Sequence, residues 1–121
     1  MGWWSPSIMG GDTPLDIEIY IEEAAGGKDK KSLEKNLESV FKAIKKSKDY
    51  KHLWYQVLGV LIMRAGAKMS EDLRMKIIYN CIDPDLQDWS DPEKRKYYID
   101  RYKEQIAMYD GTPQDVLSDS Q

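Results

Sequence analysis

Few side chains in this 121-residue chain combine chemically useful types with usable spacing, and most of those that do lie in its first sixteen positions. The opening reads MGWWSPSIMGGDTPLD: two adjacent indoles, Trp3 and Trp4, then the pair Gly10-Gly11, then the carboxylates Asp12 and Asp16. An indole joins a large apolar face to a single N–H donor, a combination suited to a ligand wall. Glycines let backbone N–H groups approach a ligand closely, and a loop that runs into a helix N-terminus ends at the positive pole of that helix. Asp12 and Asp16 would repel a bare anion there but can accept from hydroxyls. A ribose-like or other polyhydroxyl group stacked on an indole therefore fits better than phosphate alone. Trp3, Trp4, Gly10, Gly11, Asp12 and Asp16 are the predicted ligand-binding residues, with nearby lysines or tyrosines left to hold any phosphates.

Catalytic chemistry finds little support. The single histidine, His52, stands beside Trp54 and Tyr55 with no partner at triad or zinc spacing, and reads as a structural residue. Cys81 falls on the apolar stripe of its segment and reads as a buried, inert thiol. The carboxylates of DPDLQDWSD (83, 85, 88 and 91) lack the glycine turn and terminal bidentate glutamate of a calcium loop, and turn and capping duty accounts for each. MGGD lacks the length and lysine of a phosphate-binding loop. No catalytic residue, no metal ligand and no cofactor is assigned.

The elements that must position the opening loop are helical. Thr13 offers an N-cap and Pro14 a first helical residue, which predicts a helix over about 14–25 stopped by Gly26-Gly27. Leu15, Ile17, Ile19 and Ile21 alternate as in a strand, but no second segment has matching alternation to pair with it. SLEKNLESVFKAIKKSK repeats apolar residues at three and four and predicts one helix of about sixteen residues. The segment 49–65 is apolar nearly all round, so the other helices should surround it. A fourth helix is predicted over 70–81 behind a Ser70 cap, and a fifth over 92–109 behind Asp91-Pro92, with Tyr98, Ile99, Tyr102, Ile106 and Tyr109 as its stripe. The expectation is an all-α bundle of about five helices with an ordered N-terminal loop packed on it. Residues 1–111 form the single domain and 112–121 a disordered acidic tail.

Ordering a terminal segment costs about 1–2 kcal/mol per residue in backbone freedom, while burying one indole returns a few kcal/mol at roughly 25 cal/mol per Å². Two indoles can therefore pin the first dozen residues, one docked in the core and the other lining a surface.

Composition narrows the rest. A net charge of −3 argues against a nucleic-acid binder, and one cysteine suits a reducing compartment. The start lacks the basic and apolar runs of a signal peptide, and the most apolar window, VLGVLIM, is far short of a membrane span. A cytoplasmic protein that touches neither nucleic acid nor membrane is expected. Charge is uneven along the chain: Asp12, Asp16, Glu18, Glu22 and Glu23 carry no cation among them, while residues 28–51 hold nine lysines. Such segregation suits an acidic or basic partner, or a homo-oligomer.

The opening MGWWSPSIMGGDTPLD resembles an uncharacterised family of small bacterial and phage proteins that begin Met-Gly-x-Trp-Gly and carry a further aspartate before the first helix. HLWYQVLGVLIMRAGAKMSEDLRMKIIYNCIDPDLQDWSDPEKRKYYIDRYKEQI is similar in pattern to that family's second half, a tryptophan-bearing helix leading to an acidic-Leu-x-x-Trp turn and a basic last helix. On this resemblance Trp4, Asp12, Asp16, Trp54 and Trp89 match the family's marked positions, while Ser5 replaces its usual glycine, Trp3 is an added aromatic and Gly11 stands where asparagine is common. The resemblance implies an all-helical fold and no reaction. The expected function is non-enzymatic: capture of a nucleotide-derived small molecule at the Trp-Gly-Asp loop of a phage or bacterial protein. The alternative is an inhibitor or immunity-type module that meets a protein partner through acidic segments and exposed aromatics.

Overall fold

The first apolar run folds as a helix because its strand-like alternation is compatible with two opposite helical stripes. In the computed structural model, which describes residues 3–118, α1 (Asp12–Ala25) buries Pro14, Ile17, Ile21 and Ala25 and turns Leu15 and Ile19 outward. Its cap differs from expectation: Gly11, in extended backbone, is the N-cap, and Thr13 and Pro14 lie inside the first turn. Proline is tolerated there because the first N–H groups of a helix have no partner within it. The stop is as expected. Gly26 takes a φ of 79°, and the amides of Gly26 and Gly27 both close on the Glu22 carbonyl.

The second predicted helix is two. α2 (Lys30–Lys35) starts at Asp29, whose carboxylate accepts from the Ser32 amide, and α3 (Leu37–Lys46) follows after a break at Asn36. The Asn36 amide group donates to the Ala25 carbonyl at 2.7 Å, so the break turns one side chain onto the otherwise unsatisfied end of α1. α4 (Lys51–Ala65) is central, with Leu53, Val57, Leu58, Val60, Leu61, Ile62 and Met63 buried, and it packs against α1, α2, α3 and α5. α5 (Glu71–Tyr79), capped by the Ser70 hydroxyl, and α6 (Pro92–Met108), capped by the Asp91 carboxylate, complete the bundle on either side of a 3-10 turn at Leu86–Asp88. The whole predicted stripe of α6 is buried, and Gly59 lets Tyr102 reach α4, where its hydroxyl donates to the Gln56 carbonyl at 2.5 Å. Among the described residues the fold is all-α, and none of its helices is long and apolar enough to cross a membrane.

The C-terminal stretch departs from the expected free tail as far as it is described. Val116 is buried, the Gln114 amide donates to the Met63 carbonyl and Asp115 pairs with Arg64. One apolar anchor and a few polar contacts suffice to lay residues 112–118 along the body; residues 119–121 lie outside the described residues.

Candidate functional site

The N-terminal loop closes on itself before it reaches α1. The amides of Trp4 and Ser5 both donate to the Gly10 carbonyl, at 2.8 and 3.1 Å, and the Gly10 amide returns to the Ser7 carbonyl. A Cβ on Gly10 would stand 2.6 Å from the Ser5 carbonyl oxygen, so only glycine closes the loop this tightly. Ile8 is the buried anchor of the segment, which contributes about 1.5–3 kcal/mol. Trp3 is half-buried against the core and Trp4 is 63% exposed.

What holds the loop to the body is a residue that the sequence reading did not single out. Arg95, in the second turn of α6, is 1% exposed. Its Nε donates to Asp83 Oδ2 at 2.9 Å, and its Nη1 donates to the carbonyls of Pro6 and Ser7, each at 3.1 Å. The guanidinium packs against two indoles, 5.0 Å from the Trp3 ring and 4.6 Å from that of Trp89. Those indoles meet edge to face with centroids 5.0 Å apart. Trp89 Nε1 also donates to Asp83 Oδ2, at 2.7 Å, and the Asp85 amide donates to Asp83 Oδ1. Burial pulls the Arg95 guanidinium below its ordinary value, and the hydrogen bond and charge of Asp83 oppose that pull. The planar fork of arginine suits this job because three acceptors in different directions share one cation.

Beside this knot opens a cleft of about 750 Å³. Trp3, Trp4 and Trp89 supply aromatic wall, and Asp83, Asp85, Asp88 and Asp91 supply carboxylates from the turn between α5 and α6. Lys94 and Arg95 of α6 add two cations. His52, near the start of α4, also lines it with its pKa lowered, chiefly by burial and with Asp83 opposing. Tyr50 also lines the cleft and carries a φ of 63°, a left-handed backbone that costs a non-glycine residue about 1–2 kcal/mol. Asp83 is committed to Arg95 and Trp89, and Asp91 accepts from the Lys94 amide, while Asp85 and Asp88 are exposed at the mouth.

Of the six predicted site residues, Trp3 and Trp4 line this cleft and the other four do not. Gly10 and Gly11 are buried within the loop closure, where the Gly10 amide is already engaged. Asp12 and Asp16 are exposed on the outward side of α1 because Pro14, Ile17 and Ile21 claim its inward side. The acceptors beside the indoles come instead from the DPDLQDWSD turn, whose carboxylates turn and capping duty alone would explain. Arg95 did leave a signal. It precedes Tyr98 by three residues and Ile99 by four, so it sits in the register of the buried stripe of α6, where an arginine needs a partner.

Burial pushes the Cys81 thiol up to about 12, and its S–H donates to the Ile77 carbonyl. Among the described residues no group of three or more His, Cys, Asp and Glu side chains is arranged to hold a metal. No protein-family profile, curated protein or solved structure matches the chain.

Proposed function

We propose that the protein binds and sequesters a nucleoside-like small molecule in the Trp3–Trp4–Trp89 cleft. The observation that carries this reading is the meeting of indole walls and aspartate acceptors in one cavity of about 750 Å³, a size within the range of small-molecule sites. A base stacked on an exposed indole gains about 1–3 kcal/mol, and that gain tolerates different bases. Ribose hydroxyls or an exocyclic amine donate to Asp85 or Asp88. Four carboxylates against Lys94 and Arg95 leave the lining at −2 with His52 neutral, which disfavours a polyphosphate.

The test is calorimetric titration and thermal shift with nucleosides, their monophosphates and their triphosphates, on the wild type and on Trp4→Ala. Trp4 is exposed enough that the substitution should leave the melting temperature of the free protein unchanged. A nucleoside should bind, the matching triphosphate should bind more weakly, and both signals should fall about tenfold or more in Trp4→Ala. Absence of binding by every nucleoside, or binding that Trp4→Ala leaves intact, would overturn the proposal.

A further inference from the structure

We infer that the outward face of α1 docks a basic amphipathic helix of another protein, a role independent of the cleft. Leu15 and Ile19, four residues apart, lie on the side of α1 opposite Ile17 and Ile21, and are 39% and 53% exposed. Tyr20, 55% exposed, continues the surface by stacking on Trp54 of α4 with ring centroids 6.0 Å apart. The strict alternation over residues 15–21 is thus explained: one half serves the bundle and the other faces water. A helix serving only its own core needs a single apolar stripe, and a second one marks a surface that loses water elsewhere.

The rim of this face identifies the occupant. Asp12, Asp16 and Glu23 are exposed beside Leu15 and Ile19, and no lysine or arginine occurs anywhere in α1. Glu18 and Glu22, at one edge, are engaged by Lys28 and Arg64. An apolar centre with a rim of one sign matches a partner with apolar anchors at helical spacing and cations flanking them. The chain's own lysine-rich elements match only half of that description. α2 and α3 turn Lys30, Lys31, Lys35, Lys42, Lys45 and Lys46 outward, yet none of the exposed large apolar residues described lies on either helix. A second copy seated through that face would leave Leu15 and Ile19 against ammonium groups.

The experiment uses the whole protein and two labelled synthetic peptides of identical composition. One places leucines at i, i+3, i+4 and i+7 with lysines and arginines on the flanks, and the other scrambles that order. Fluorescence anisotropy at low and physiological salt is measured for the wild type, for Leu15→Gln with Ile19→Gln, and for Asp12→Asn with Asp16→Asn and Glu23→Gln. All five positions are exposed, so circular dichroism and melting temperature should confirm unchanged folding. The patterned peptide should bind at least about tenfold more tightly than the scrambled one. The apolar variant should lose about tenfold, and the charge variant should bind more weakly with a flatter salt dependence. Equal binding of both peptides, undiminished binding by the apolar variant, or no binding at all would defeat the inference. So would sedimentation showing that the wild type self-associates through this face while the apolar variant does not.

Discussion

Replacing Arg95 with methionine should release the N-terminal loop without dissolving the bundle. Methionine keeps much of the volume beside Trp3 and Trp89 but removes the cation that Asp83, Pro6 and Ser7 share. Removing one partner of a buried ion pair costs about 3–5 kcal/mol. Asp83 retains the Trp89 indole and the Asp85 amide as donors, and the two loop carbonyls can reach water once the loop lifts, so the lower part of that range applies: about 3–4 kcal/mol. For a chain of this length that corresponds to a fall in melting temperature of roughly 10–20 °C. Urea denaturation gives the free energy. Hydrogen exchange at the Trp4, Ser5 and Gly10 amides, all bonded within the loop, reports whether the loop lifts. Adding Asp83→Asn should recover part of the loss, because the carboxylate left without its cation is then gone while an acceptor remains for Trp89. The reasoning is refuted if Arg95→Met costs less than about 1 kcal/mol, or if those amides keep wild-type protection.

Gly59→Ala should lower stability by about 2–3 kcal/mol, seen as a urea midpoint lower by roughly 1–2 M, because the new methyl collides with the Tyr102 hydroxyl and meets Ile106 Cδ1 at 3.0 Å. Pairing it with Tyr102→Phe should be less than additive, since both disturb the bond to the Gln56 carbonyl. His52 has its pKa lowered in the fold, so below 6.5 the unfolded chain takes up the proton first: the stability linked to it is present above that value and lost as pH falls towards the folded one. His52→Gln should flatten this part of the pH dependence in urea titrations between about pH 7.5 and 5.5.

The parts of the fold that were legible in the sequence are those in which a residue acts on its near neighbours. Ser70 and Asp91 cap helices through amides three residues on, Gly26 ends one in left-handed backbone, and the stripe from Tyr98 to Tyr109 needs only its own periodicity. Where local pattern and outcome part company, a contact distant in sequence decides. Asn36 interrupts an otherwise unbroken apolar repeat because its amide serves Ala25, eleven residues away. Arg95 contacts carbonyls 88 and 89 positions upstream, and nothing in its own vicinity names them. The candidate site was half legible for the same reason. The indoles announce themselves by type, whereas the aspartates beside them belong to a turn some eighty residues later in the chain.

Arg95 also bears on what the cleft can hold. An arginine beside an aromatic wall would ordinarily suggest phosphate recognition, because its fork matches phosphate oxygens. Here Asp83 and the Pro6 and Ser7 carbonyls already occupy its Nε and Nη1, and the Trp3 and Trp89 indoles pack against it. Recruiting it for a ligand would dismantle the contact that holds Trp3 in place and so destroy part of the wall the ligand needs. The cation is thus committed to structure, and its charge is already opposed by Asp83. On the proposed reading, Asp85 and Asp88 then turn the cleft towards hydroxyl and amine donors. If Arg95→Met lowered affinity for a nucleoside triphosphate much more than for the nucleoside, this ordering of roles would be wrong. Losing a committed cation should weaken both ligands through the loop and favour neither.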